Sequence, residues 1–384
     1  MMLYERLKEY AVGDVYPMHM PGHKRNSRLL PPCLPWDIDI TEIHGFDDLH
    51  DPKGLLLETA LLAAKLYGSD SAFPLINGST VGILASIGAH TNRGDRVLAV
   101  SNCHWSTPNA AELFELDMIY VTPEVDEASG ISCSITATTV SAALESNPDI
   151  KLVIITSPTY EGVISDVAAI AEVVHSKGGI LLVDGAHGAH LGFSSDLPKN
   201  AVTLGADIVV VSLHKTLPAL TQCSLLHVCR ERVDDAGIKR MLSILQTSSP
   251  SYVLIASIDH CLRLLDSDRD DLFRNYVRNL RNFDSLIKDL EKLSVLCHGI
   301  DPLHAGFFDF DPGKLVISTK KTTLSGKILA DTLREDFKIE VERVNIDHVI
   351  AMTSICDESE GFLRLANALC KIDASIKGSS AQLS

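Results

Sequence analysis

Residues 207–217 read DIVVVSLHKTL, a run of strand-forming side chains that closes on Ser212, Leu213, His214 and the amine of Lys215. An amine at the carboxyl end of a buried strand is partly desolvated, which lowers its pKa and makes it a nucleophile toward an aldehyde. Thirty-one positions earlier GGILLVD ends on Asp184. A carboxylate in so apolar a neighbourhood needs a cationic partner or several donors. A protonated ring nitrogen is one such partner; a helix cap or a structural ion pair is another. Earlier still, NGST at 77–80 runs into VGILASIGAH. The N–H groups of that turn, the helix dipole and the hydroxyls of Ser79 and Thr80 suit a phosphate, although a plain N-cap uses the same residues.

Pyridoxal phosphate supplies an aldehyde, a pyridine nitrogen and a phosphate together, so one cofactor accounts for Lys215, Asp184 and NGST. A metal is the weaker reading of His187 and His190. They form H-x-x-H, but the zinc-protease pattern needs H-E-x-x-H on a helix and no third ligand lies nearby. A histidine lining the site, or one satisfied in the core, fits better.

The elements that must position these groups are strands and helices in alternation. Continuous apolar runs at 96–100, 118–121, 151–156, 180–184, 208–212 and 224–229 predict strands covered on both faces. Helical stretches such as 55–67 and 167–176 point to an α/β fold with a mostly parallel sheet between helical layers. TSPTYE (156–161), DGAHGAH (184–190) and SLHK (212–215) then fall at carboxyl strand ends, where such sheets bind ligands. Residues 1–54, broken by MPGHKRN, PPCLPW and TEIHGFDDLHDPKG, read as an irregular arm. A large domain over 55–295 follows, ending in a helical stretch near 251–293 with a break at 267–271. A small α/β domain occupies 296–384.

Composition excludes other classes. A formal net charge of −16 with scattered basic residues argues against nucleic acid. Nine cysteines without a C-x-x-C pair fit reduced thiols. The opening MMLYERLKEY lacks the apolar core of a signal peptide, and no apolar run approaches a membrane span. The expectation is a cytoplasmic protein with no membrane and no nucleic-acid partner. No strand leads into G-x-G-x-x-G, which disfavours a nicotinamide dehydrogenase.

Several segments in order resemble the Orn/Lys/Arg decarboxylase family (major domain) among the fold-type I pyridoxal-phosphate enzymes. They are MPGHK (20–24), DITEIHGFDDLH (39–50), NGST (77–80), SNCHWS (101–106), SPTYEG (157–162), VDGAHGAHLGF (183–193), SLHK (212–215) and QTSSPSY (246–252). The resemblance implies an aspartate-aminotransferase-like fold: a mostly parallel seven-stranded sheet flanked by helices, with a small C-terminal α/β domain. It implies a homodimer with shared active sites. Lys215 would bond covalently to pyridoxal 5'-phosphate, Asp184 would pair with its ring nitrogen, His104 would stack on the ring and His187 would lie beside it. Those four are the catalytic set. Asn77, Gly78, Ser79, Thr80, Thr159, Ser212 and His214 would complete the cofactor site, with Thr247, Ser248 and Ser249 reaching the phosphate of the neighbouring subunit. His23, Lys24 and Glu161 are the substrate-binding candidates, and Asp47 and Asp48 are further carboxylates for a distal charge.

The implied reaction is decarboxylation of arginine, lysine or ornithine to the amine and CO2. Three departures stand out: MPGHKRN lacks an early glycine, Gly185 replaces a common acid, and the chain ends at Ser384 without the family's longer C-terminal domain. The alternative is another fold-type I reaction, an aminotransferase, a lyase or a specialised biosynthetic enzyme, with Arg343 or Arg364 gripping the substrate carboxylate. A non-catalytic cofactor-binding protein that kept the fold is a third class.

Overall fold

The computed structural model describes residues 2–376; the last eight residues of the expected small domain lie outside them. The strands are, in chain order, β1 (Ser71–Leu75), β2 (Arg96–Val100), β3 (Asp117–Val121), β4 (Leu152–Thr156), β5 (Val163–Ile164), β6 (Ile180–Asp184), β7 (Ile208–Ser212) and β8 (Ser224–Val228), then β9 (Ser294–Val295), β10 (Asp309–Phe310), β11 (Lys314–Ser318), β12 (Arg343–Val344) and β13 (His348–Met352). Seven of them form one sheet in the order β1-β8-β7-β6-β4-β2-β3. The five from β7 to β3 are parallel, while β8 is antiparallel to both its neighbours.

Period-two geometry explains why the strands are apolar throughout. Leu98, Val153, Ile155, Val183 and Val209 face one core, whereas Val97, Ala99, Leu152, Ile154, Leu182 and Val210 face another on the opposite side. Strand β1, SAFPL, has no such continuous run and carries Pro74, so the sequence pattern misses it. It sits at the sheet edge, where a proline is tolerated.

Two expectations need correction. The arm is not wholly irregular: Leu3–Val12 is a helix that buries Leu3 and Leu7 against the long helix Tyr252–Ile287, and the Leu3 N–H donates to Asp259 Oδ2 at 2.9 Å. That long helix is continuous, with no break at 267–271. The DSDRDD stretch looked like a loop because it is polar, but it contains neither Gly nor Pro and faces solvent. The helix spans from the packing of Leu55–Tyr67 to that of Ser359–Ser375, so it ties the large unit to the C-terminal one.

The C-terminal unit is a four-stranded antiparallel sheet, β12-β13-β11-β9, with helices Gly326–Phe337 and Ser359–Ser375. A ribbon of β5 and β10 links the two units. Among the described residues no helix is long and apolar enough to cross a membrane.

Candidate active site

The carboxyl ends of β4, β6 and β7 lie side by side, with Thr156 paired to Asp184 in register. They open on a cleft of about 760 Å³. From the large unit the cleft is lined by Ser79, Thr80, His104, Thr159, Asp184, His187, Ser212, His214 and Lys215; from the C-terminal unit by Arg343, Asn345 and His348.

Asp184 is 4% exposed. One carboxylate oxygen accepts the Ala186 N–H at 3.1 Å, and the other has no protein donor among the described residues. Burial pushes this carboxyl above the usual range; the Ala186 N–H, Lys215 and His104 only partly offset it. A buried carboxylate with a spare oxygen facing a cleft is incomplete without a cation.

On the same cleft, the helix Gly78–His90 begins at Asn77, and Gly78 adopts φ +73°, a conformation that favours glycine. The Ser79 hydroxyl lies 2.6 Å from that of Ser212 and 3.3 Å from that of Ser224. Three hydroxyls gathered beside the unpaired N–H groups of a helix N-terminus form an anion cradle. His214 stands beside them with Nδ1 bonded to the Cys223 carbonyl at 2.8 Å, and burial lowers its pKa.

Lys215 lines the same cleft, in the short helical turn Leu213–Thr216 after β7. Its Nζ is 3.0 Å from His187 Nε2. Burial lowers its pKa, against the attraction of Asp184 and Glu342, so the amine is biased toward its nucleophilic form. His104 is exposed to the cleft; its Nδ1 accepts the Ser106 N–H at 3.2 Å, which orients the ring at the start of the helix Ser106–Phe114. The Thr159 hydroxyl accepts the Val163 N–H at 3.2 Å and is buried at the rim.

The remaining candidates are placed elsewhere. His23 pairs with Asp39 at 3.3 Å and Lys24 donates to the His19 carbonyl; neither lines the cleft. Asp47 accepts N–H groups of Lys53, Gly54 and Leu56 and thereby caps the helix Leu55–Tyr67, while Asp48 accepts from His50. Thr247, Ser248 and Ser249 are exposed outside the cleft, with the Thr247 N–H donated to Asn77 Oδ1. Glu161 lines the cleft. So does Arg343, whose guanidinium lies 4.8 Å from the Tyr160 ring centre, whereas Arg364 pairs with Glu360 on the surface.

Sequence reasoning missed Lys314. It is 1% exposed, at the start of β11, and its Nζ lies 2.8 Å from His187 Nδ1. The signal was the same one that marked Lys215: a lysine adjoining an apolar run, KLVIS. His190, the other member of H-x-x-H, turns away to a buried pair with Asp311 at 3.0 Å.

Residues 2–360 match the Orn/Lys/Arg decarboxylase family, major domain. The chain is 33% identical over 377 residues to an arginine decarboxylase of Bacillus subtilis, covering 96% of this chain and 76% of that protein. The chain belongs to the Orn/Lys/Arg decarboxylase family. An arginine decarboxylase of Bacillus anthracis is 32% identical, with 98% of this chain and 77% of that one covered. A lysine decarboxylase from Francisella novicida superposes with a TM-score of 0.83 at 18% identity, over 97% of this chain and 60% of that one. This chain therefore spans about three fifths of the length of that solved structure. An alanine–glyoxylate aminotransferase from Nostoc shares the architecture at a TM-score of 0.66 and 16% identity, over 85% of this chain and 88% of that one, which makes the fold that of the fold-type I enzymes.

Enzymes of the Orn/Lys/Arg decarboxylase family are pyridoxal-phosphate-dependent lyases. The side chains present fit that group at three points: the spare oxygen of Asp184 for a ring N–H, the hydroxyl cluster at Ser79 for a phosphate, and the Lys215 amine for an aldehyde.

Proposed function

We propose that this chain is a pyridoxal-phosphate-dependent decarboxylase of a basic amino acid, with arginine the first substrate to test. The observation that carries the reading is the convergence of Lys215, Asp184 and the Ser79–Ser212 pair on one cleft, within a chain that matches the decarboxylase family over residues 2–360. Arginine comes first because the relatives of Bacillus subtilis and Bacillus anthracis bear that name; lysine and ornithine are the competing substrates.

Bound there, the cofactor would supply an electron sink for the bond that breaks at the substrate Cα. Each protein group then has a separate task. Asp184 would hold a proton on the ring nitrogen by presenting a nearly buried carboxylate with a spare oxygen. Ser79, Thr80, Ser212 and His214 would hold the phosphate, and His104, exposed to the same cleft, would contact the ring. Lys215 would hold the cofactor's aldehyde carbon and, when not so engaged, could move a proton, with His187 3.0 Å away to exchange it. Glu161, half-buried at the rim, is the carboxylate within the cleft that suits a distal guanidinium or ammonium group.

Thr247, Ser248 and Ser249 point outward, so their part in phosphate binding requires a second copy of the chain with its cleft against them. The purified protein, loaded with pyridoxal phosphate, is to be supplied with arginine, lysine and ornithine separately, reading CO2 and product mass. Agmatine, cadaverine or putrescine identifies the substrate; no CO2 from any of the three overturns the proposal. A second reading, transamination, is favoured by Arg343, which lines the cleft where it can pair with a substrate carboxylate. Conversion of the cofactor to its amine form without CO2 would select it.

A further inference from the structure

The His187 ring has an amine on each nitrogen: Lys215 Nζ at 3.0 Å from Nε2 and Lys314 Nζ at 2.8 Å from Nδ1. This arrangement limits the protonation states available. A neutral imidazole has one N–H and one bare nitrogen, while an ammonium group has donors only. Two ammonium groups therefore cannot both bond to this ring. An imidazolium would repel both, and burial, then Lys314, then Lys215 hold His187 well below its ordinary pKa. One amine must accept a hydrogen bond, and so must be uncharged.

The surroundings show which one carries the charge. Lys314 is the deeper group, which by itself disfavours its charge, but the attraction of Asp311 opposes that burial. Asp311 is a wholly buried carboxylate that accepts the Gly313 N–H at 2.9 Å and pairs with His190 at 3.0 Å. Asp311 Oδ2 has no hydrogen-bond partner among the described residues, so its charge is balanced through space. Other groups acting on Lys314 are Lys215, Glu342 and Glu161. Lys215 is attracted by Glu342 and by Asp184, whose carboxyl burial pushes toward its neutral form, whereas Asp311 is held ionised. The main chain is shaped to admit the side chain: Gly162, at φ +104°, lies so close that a Cβ there would come within 2.8 Å of Lys314 Cβ and Cγ.

We infer that Lys314 is a positioning residue whose ammonium group, donating to His187 Nδ1, holds the ring as its Nε2–H tautomer and so leaves the Lys215 nitrogen unprotonated and accepting. Lys314 touches neither cofactor nor substrate in this role; it acts through His187. The tautomer rests on the two amine–ring distances and on the buried charge of Asp311, whereas the consequence for cofactor capture rests on the proposed function.

Two measurements test it. Nitrogen NMR of isotope-labelled histidine in the cofactor-free protein, with His187 assigned by its loss in His187→Gln, should show Nε2 protonated and Nδ1 bare. The reverse tautomer overturns the inference, and this reading needs no variant at position 314 to fold. Second, stopped-flow absorbance of cofactor-free protein mixed with pyridoxal phosphate should show capture about tenfold slower at neutral pH in Lys314→Met, one charge-assisted hydrogen bond's worth. The pH midpoint for capture should also move up, while melting shows an intact fold. An unchanged rate and midpoint in the folded variant overturn the inference. If the native protein captures no cofactor, the proposed function falls, and the NMR tautomer still decides the role of Lys314.

Discussion

The two walls of the cleft are built from different materials. On the large-unit side Asp184 and Ser212 end central strands, with hydrogen-bonded neighbours on both flanks, and are 4% and 1% exposed. On the opposite side Arg343 lies in β12, a two-residue edge strand, and is open to solvent. The first wall cannot adjust without repacking two apolar cores; the second can change rotamer freely. Interactions that must hold one geometry in every turnover belong on the first wall, and those that discriminate among substrates suit the second.

The largest effect expected from that contrast is at Lys215. Lys215→Ala should abolish the absorbance of covalently held cofactor and reduce kcat by about 10³-fold or more; retention of either would break the assignment of the rigid wall to the cofactor. Next comes Asp184→Asn, expected to reduce kcat by roughly a hundredfold, with a distinctive effect on the cofactor-free protein. Because burial raises the Asp184 pKa above its unfolded value, the folded state binds its proton more tightly. Stability from this group is therefore full below the unfolded pKa of about 3.9 and is lost as pH rises through the raised folded value. Melting curves across that window should slope downward in the native chain and flatten in Asp184→Asn. An identical pH dependence in both would show that the carboxylate is already satisfied.

On the open wall the effects should be smaller and fall on KM. Arg343→Lys on that wall, and Glu161→Gln at the half-buried rim of the large unit, should each raise KM for the best substrate about tenfold while kcat stays within a few-fold. A collapse of kcat instead would erase the distinction between the walls. Smaller again is the stability effect of Lys314. Burial brings its pKa down to about 8 from 10.5, so its charge costs stability below pH 8 and the cost vanishes by pH 10.5. Lys314→Met should thus raise the melting temperature by a few degrees at neutral pH, with the gain fading across that interval. The least change in a single chain is expected for Thr247→Ala with Ser248→Ala and Ser249→Ala. Its weakening of cofactor affinity should appear only at concentrations where sedimentation shows a dimer.

The wall proposed to hold the cofactor was legible in the sequence because each of its groups interrupts a local pattern. Asp184 and Lys215 follow apolar runs, and NGST precedes a helical one. Strand β1 was not, since its residues SAFPL carry no run and its place at the edge depends on pairing with β8. The arm helix was hidden by the Pro and Gly residues downstream of it. The substrate candidates His23 and Lys24 show the limit of motif reading. MPGHK is a recognisable string, yet its side chains bond within the arm to Asp39 and to the His19 carbonyl.

What the sequence by itself determined is the class of chemistry and the scaffold that carries it: alternating strands and helices, a lysine and an aspartate at two strand ends, and a polar turn at a helix start that suits an anion. Those features are local, because burial, strand length and helix starts follow from neighbours a few residues apart. Only the tertiary structure decided that Lys314, 127 positions beyond His187 in the chain, meets the second nitrogen of that ring. It also decided that Asp47 caps a helix while Glu161 faces the cleft. The reason is physical: a hydrogen bond between remote residues exists only once the packing of both sheets has fixed their separation to a few tenths of an ångström.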